Sequence, residues 1–269
     1  MYLSRLELDL TKRNTMRALA SPTLFHGVVE TAFPHERNAL TGQNALTVQS
    51  ALTPFDSADE DTQLSLFHNF SVPSASSPSS ALSAYPAPER DRKLWRVDVL
   101  RGKTYLLLLS GERPDLSDAA KQFGTGARWE TKDYAPFLDG IRNGEIFRFR
   151  LTANPTVSLA SPKNGDGEKP RGRVYAHITT EYQRGWLLQK AERHGFHLET
   201  DAFDVTESRW RIFRKGAERK KRITLLSVTY EGVLQVTDAN IFRETLTCGI
   251  GRGKAYGMGL LTVMRRNRQ

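Results

Sequence analysis

Thr180-Glu-Tyr-Gln-Arg-Gly-Trp-Leu-Leu-Gln-Lys-Ala-Glu-Arg-His-Gly195 reads as one helix with its own stop signal. Trp186, Leu187 and Ala191 recur at helical spacing and turn inward, and Gly195 supplies the left-handed residue that ends the helix. Working forward, Phe196 to Val205 alternates as a strand. Trp210-Arg-Ile-Phe-Arg214 and then Arg222 to Val236 form a long hairpin. Asp238 caps a helix that runs to about Thr247, and Leu260 to Met264 is a last strand.

Working backward, the same rhythm recurs. Residues 2–9 alternate, with Leu6 and Leu8 on one face. Ser21-Pro22 opens a helix with Ser as N-cap and Pro at its first position. Leu24, Val28 and Ala32 make one row on it, Phe25, Val29 and Phe33 the adjacent row, and Pro34 ends it. Leu94 to Asp98 and Thr104 to Ser110 are strands separated by Arg101-Gly102. Ile146 to Leu151 alternates strictly. The second helix of this half has the weakest pattern, because Arg113 to Leu116 and Tyr134 to Ile141 carry no clear period. Both halves therefore read strand, helix, strands and a returning strand. The pattern predicts an α+β chain of two tandem ferredoxin-like (βαββαβ) domains, 1–155 and 156–269. Residues 35–93 form a long insertion in the first. Seven of the thirteen residues from Ser71 to Ser83 are Ser, with prolines between, which marks a flexible loop; Leu64 to Phe70 is a short docking piece within it.

The chain has 269 residues with 39 basic and 30 acidic side chains, a formal charge of +9. Residues 1–150 hold 18 of each sign, so the whole excess falls in residues 151–269, with 21 basic and 12 acidic. Such asymmetry points to a polyanionic partner. The densest cluster is Arg214, Lys215, Arg219, Lys220, Lys221 and Arg222, bordered by Trp210, Phe213 and Tyr230. A solvated hairpin tip and a phosphate-contacting surface fit this cluster equally well. No apolar run approaches the ~20 residues needed to span a bilayer. Arg5, Glu7 and Asp9 exclude a signal peptide, and a soluble cytoplasmic protein is expected. The single cysteine, Cys248, excludes an internal disulfide and a multi-cysteine metal site.

Gly249-Ile-Gly-Arg-Gly-Lys-Ala-Tyr-Gly-Met-Gly259 is the most distinctive segment. Glycine permits positive φ and close backbone approach, and Arg252 and Lys254 beside Gly251 and Gly253 supply charge for an anion. The order helix–loop–strand, with no Ser or Thr after Lys254, argues against a nucleotide P-loop. Six histidines are present. His26 lies off the apolar rows of its helix, with Thr23 and Glu30 a turn away on either side. From spacing alone it reads as a surface residue. His194 and His197 are separated by a helix stop and lack a third ligand, so neither a metal nor a cofactor is expected. His177 reads as structural, and Asp59-Glu-Asp61 as a solvated charge run.

These pieces together resemble the CasE family of CRISPR-associated endoribonucleases, within the RAMP superfamily. The matching residues are Met1 to Arg5, His26-Gly-Val-Val-Glu-Thr-Ala-Phe-Pro34, Leu94 to Asp98, Phe149 to Pro155, Trp186 to Phe196 and Gly249 to Gly259. The resemblance implies recognition of a CRISPR repeat RNA stem-loop. It implies metal-independent cleavage at the 3′ base of that stem by the ribose 2′-OH, leaving 5′-hydroxyl and 2′,3′-cyclic phosphate ends. It also implies retention of the guide RNA beside other subunits of the type I-E surveillance complex. The family histidine falls on His26, making it the catalytic candidate, since imidazole can transfer protons near neutral pH. Where some members carry Tyr, this chain has Thr23, whose hydroxyl can bind a phosphate but is too weak an acid to replace a phenol. Lys169, Arg171 and Arg173 in the loop before the second domain, or Lys254, are candidates to supply charge. The runner-up is a non-catalytic RNA-binding subunit that holds the repeat handle.

Neutralising Arg219 to Arg222 should weaken hairpin RNA binding and flatten its dependence on salt by roughly one unit of slope per lost phosphate contact. A titration of affinity against salt checks this; an unchanged slope means that the cluster faces solvent.

Overall fold

The computed structural model describes residues 1–33, 93–126, 128–159, 173–215 and 221–265, without the side chains of Lys215 and Lys221. The insertion, and the predicted pieces within 34–92, lie outside the described residues. The architecture is mixed α/β with antiparallel sheets.

The first sheet contains β1 (Tyr2–Leu8), β2 (Leu94–Leu100), β3 (Lys103–Ser110) and β4 (Glu130–Asp133), in the order β2-β3-β1-β4. Arg101 (φ 48°) and Gly102 (φ 68°) make the two-residue turn between β2 and β3, the left-handed pair whose twist suits a hairpin. Three helices cover one face: α1 (Arg13–Ala20), α2 (Pro22–Thr31) and α3 (Ser117–Phe123). Of the two apolar rows on α2, Phe25, Val29 and Phe33 enter the core with Leu6, Leu106, Leu108 and Phe123, whereas Leu24 stays exposed. Leu107 and Leu109, on the other face of β3, enter a second and larger core. This is why Leu106 to Leu109 is an unbroken apolar run: the strand is covered on both faces. Each such side chain contributes about 1.5–3 kcal/mol on burial.

The second sheet contains β5 (Ile146–Ala153), β8 (Phe196–His197), β9 (Phe203–Lys215), β10 (Lys221–Val236) and β11 (Leu261–Arg265). Its order is β11-β5-β10-β8, with β9 on β10. A ribbon of β6 (Thr156–Leu159) and β7 (Arg173–Ala176) stands apart. Between these strands run α4 (Ala135–Asp139), α5 (Thr180–Ala191) and α6 (Ala239–Cys248). Gly195 ends the α5 region at φ 74°, and the Asp238 side chain accepts from the amides of Asn240 and Ile241 to cap α6.

Two expectations need correction. The strand Ile146–Ala153, read with the first unit, pairs with β10 and β11 of the second sheet. The closing strand of the first sheet is the four-residue β4, paired with β1 at residues Tyr2 to Arg5. It is short and polar, so no alternation announced it. Phe196 to Val205 is likewise not one strand. The chain turns at Glu199–Ala202, where the Ala202 amide donates to the Glu199 carbonyl, and a new strand starts at Phe203.

The two sheets are joined by Arg96 on β2. Its guanidinium, 1% exposed, donates twice to the Asp98 carboxylate, at 2.7 and 2.6 Å. The same group reaches into the second sheet, donating to the carbonyls of Arg150 (3.0 Å) and Leu260 (2.7 Å) and to Thr262 Oγ1 (2.7 Å). Arg150 Nε lies 3.2 Å from Asp98 Oδ1, and its far end pairs with Glu231.

Removing one member of a buried pair strands the other charge. Asp98→Ala should therefore lower unfolding free energy by about 3–5 kcal/mol in a urea titration. A loss below 1 kcal/mol would show that solvent reaches Arg96.

Candidate nucleic-acid interface

Helix α2 carries Thr23 and His26. Ser21 is its N-cap residue and Pro22 its first residue, as the local sequence dictates, although the Ser21 hydroxyl bonds Thr23 Oγ1 (3.0 Å) instead of a backbone amide. Phe25 faces the core and packs on Trp95, ring centroids 5.7 Å apart. The next residue, His26, is turned outward, with its side chain 40% exposed. Its Nδ1 lies 3.5 Å from Glu30 Oε1, and Glu30 Oε2 accepts from Lys93 Nζ at 2.9 Å.

Helix α2 packs against the short 3-10 turn Lys254–Tyr256, which belongs to the glycine-rich segment. Gly249, Gly251, Gly253, Gly257 and Gly259 all have φ between 70° and 88°. At Gly257 a Cβ would stand 2.6 Å from the Trp95 ring, so only hydrogen fits there. Phe25, Trp95 and Gly257 thus form a continuous contact between α2 and the loop. Three loop amides are used internally, Ile250 to Gly259, Tyr256 to Gly253 and Gly257 to Lys254, and a fourth, Gly259, donates to the Thr152 carbonyl of β5. The loop's curvature is therefore built into the fold as well as offering Arg252 and Lys254. Arg252 is exposed and bridges Asn154, where β5 runs into the β6–β7 ribbon.

Arg173 opens β7 on that ribbon and is exposed; Lys169 and Arg171 lie outside the described residues. Arg214 and Arg222 are cross-strand partners near the end of the β9–β10 hairpin, and both are exposed. Arg219 and Lys220 fall outside the described residues, as do the side chains of Lys215 and Lys221. Phe213 packs on Tyr256 of the glycine-rich loop at 4.9 Å, and Arg211 donates to the Tyr256 carbonyl at 3.4 Å. The hairpin therefore leans on the loop through Arg211 and Phe213, while Arg214 and Arg222 point to the opposite strand face. Burial and the nearby Arg209 pull the Arg211 guanidinium below its ordinary range.

The structure thus brings α2, the glycine-rich loop, the ribbon root and the long hairpin to neighbouring positions. His194 and His197 do not converge. His194 Nδ1 is 2.9 Å from Thr245 Oγ1, and burial with Lys190 and Lys254 nearby depresses its pKa; His197 pairs with Glu199 at 3.1 Å. Among the described residues no three His, Cys, Asp or Glu side chains are grouped to hold a metal ion. Sequence reasoning missed Lys93, Trp95 and Arg211. The Trp-Arg pair at 95–96 was visible, but nothing in the sequence showed which glycine it meets.

Gly257→Ala meets both a left-handed φ and the Trp95 ring. It should cost about 2 kcal/mol or more of stability, read by thermal unfolding. A variant as stable as the parent would show that the loop and Trp95 are not in contact.

The family model described as CRISPR associated protein matches residues 79–265. The CRISPR-associated endoribonuclease Cse3 of Thermus thermophilus is 30% identical over 194 residues, covering 69% of this chain and 85% of that protein. A solved structure of CRISPR endoribonuclease Cse3 bound to a 19-nucleotide RNA superposes with a TM-score of 0.65 at 25% identity, over 98% of this chain and 100% of the other. A chain of a CRISPR RNA-guided surveillance complex, solved before nicking, shares the fold at a TM-score of 0.53 and 20% identity, over 99% and 100%. No helix of the described residues is long and apolar enough to cross a membrane. With both sheets, the outward histidine and the glycine-rich loop arranged in this way, the chain belongs to the CasE family of CRISPR-associated proteins.

Proposed function

We propose that this protein is a cytoplasmic endoribonuclease that binds the stem-loop of a CRISPR repeat transcript and cuts at its 3′ base. In this reading it stays on the product as a subunit of a type I-E surveillance complex. The observation that carries the proposal is His26: outward-facing on α2, with its helix packed against the 254–256 turn of a cationic glycine-rich loop. The relative from Thermus thermophilus is named an endoribonuclease, and Cse3 has been solved with RNA bound.

The architecture supports two ferredoxin-like units. The sheet orders are β4-β1-β3-β2 in one and β11-β5-β10-β8 in the other, the order of a βαββαβ unit, with a second helix after β1 in the first and the β6–β7 ribbon and the extra strand β9 added in the second. On this pairing the boundary falls between β4 and β5, near residue 140, earlier than the sequence pattern suggested.

The chemistry follows from the groups present. The 2′-oxygen attacks its own phosphorus as its proton leaves, and the departing 5′-oxygen takes a proton, which yields a 5′-hydroxyl and a 2′,3′-cyclic phosphate. His26 serves one of these proton transfers. Arg252 and Lys254, with Lys169, Arg171 and Arg173, hold phosphates and offset charge as the phosphorane forms. Thr23 contacts the phosphate through its hydroxyl. Arg214, Lys215, Arg219, Lys220, Lys221 and Arg222, with Gly251 and Gly253, extend the RNA-binding surface. No step in this scheme calls for a metal ion, and a 2′-OH nucleophile makes the enzyme blind to DNA.

His26→Ala should slow cleavage of a labelled cognate repeat hairpin by roughly 10²–10⁴-fold while leaving hairpin affinity nearly unchanged. EDTA should leave the parent's cleavage rate unchanged, and a deoxyribose at the scissile position should block the cut. Full cleavage by His26→Ala removes the assignment. Tight, salt-dependent binding by the parent with no product over hours supports the repeat-holding role instead.

A further inference from the structure

One carboxylate on α2 is held in a way that the proposed chemistry has not yet used. Glu30 sits one turn after His26, and its two oxygens are divided. Oε1 faces His26 Nδ1 at 3.5 Å, and Oε2 accepts from Lys93 at 2.9 Å. A surface pair at this spacing usually swings freely and is worth little. Here the far end is fixed. The Lys93 side chain is only 6% exposed, its ammonium lies 4.3 Å from the centroid of the Phe33 ring, and Phe33 is itself buried. Lys93 directly precedes β2, so the carboxylate is tied to the sheet as well as to its own helix.

We propose that Glu30 is a positioning residue for His26, which, with Lys93 anchoring it, presents the imidazole Nε2 to the scissile phosphodiester. A carboxylate facing Nδ1 favours the tautomer with the proton on that nitrogen. Nε2 is then left with its lone pair, able to take a proton and return it. Thr23, a turn earlier, Thr31, whose hydroxyl donates to the Val28 carbonyl, and Lys254 and Tyr256, on the turn packed against α2, are the other polar side chains of these elements. None of them is a carboxylate, so the orienting role falls to Glu30. This inference rests on the nuclease reading above and adds to it a residue that sets the geometry of the proton transfer.

The test uses the full-length protein and a labelled repeat hairpin, with three variants. Glu30→Ala should lower the saturating single-turnover rate by roughly ten- to a hundredfold, the scale seen when a partner that orients a histidine is removed. Hairpin affinity should be unchanged. Glu30→Gln retains an acceptor and should recover much of the rate. Glu30→Ala/Lys93→Met removes the ammonium together with the carboxylate and should stay slow. A second readout needs no activity: ¹⁵N–¹H correlations of the His26 ring in the free protein should show the Nδ1–H tautomer in the parent and a mixture in Glu30→Ala. Parental cleavage by Glu30→Ala, an unaltered tautomer, or a double variant restored to the parental rate each overturns the proposal. Failure of the underlying reading looks different, because then His26→Ala itself cleaves at full rate.

Discussion

Arg96 and Asp98 lie two residues apart on one strand, each about 1% exposed, and between them they tie the two sheets together. The guanidinium has five N–H donors in a fixed plane. Two meet the carboxylate, and the others reach backbone carbonyls and a threonine hydroxyl of β5 and β11. Such a pair adds little net stability compared with an apolar contact of the same shape. Its value lies in direction. A slide of one sheet over the other would leave a buried charge without partners. The large core that continues from Leu107 and Leu109 into Phe149, Leu151 and Val263 is adaptable by comparison, because apolar contacts tolerate small shifts.

The position of the candidate site follows from that junction. Trp95, the neighbour of Arg96, faces the opposite side of the strand. It is pressed between Phe25 of α2 and Gly257 of the C-terminal loop. A helix from the first half and a loop from the second are thereby held on either side of one indole. Helix α2 and the turn Lys254–Tyr256 are in contact although more than two hundred residues separate them in the chain. The glycines serve this packing first. Their positive φ values bring the backbone against Trp95 and Trp186, and the amides of Gly249, Gly257 and Gly259 are consumed by the carbonyls of Thr245, Lys254 and Thr152. The charge on Arg252 and Lys254 is carried by a scaffold that is rigid for packing reasons.

The electrostatic layout is similarly divided. The net positive charge of the second half is spread over a ribbon, a loop and a long hairpin rather than over one face of one element. Arg211 and Phe213 attach the hairpin to Tyr256, so a strand that carries exposed arginines at its end is also a support of the loop. Glu30 brings an anion into this surroundings, and Lys93 balances it. The carboxylate is placed to act on the histidine rather than to repel a phosphate.

Periodicity alone made α2, α5, α6 and the hairpins legible, since 3.6- and 2-residue patterns depend only on which side of an element is buried. Gly195, Asp238 and Arg101-Gly102 were readable because each does a local job. The membership of β5 was not readable. Its alternation shows that one face is covered, but not by which sheet, and only the pairing with β10 and β11 settles that. The polar β4 left no pattern at all, because its existence depends on the edge that β1 offers. Within the site, His26 by its spacing looked like a surface residue and its motif context raised it; tertiary packing put its helix against the 254–256 turn. The sequence by itself determined the elements, the basic second half and the glycine-rich reversal. That α2 packs against the 254–256 turn, and that Lys93 reaches Glu30 one turn after His26, was decided by long-range packing, because no local pattern encodes the distance between residues so far apart in the chain.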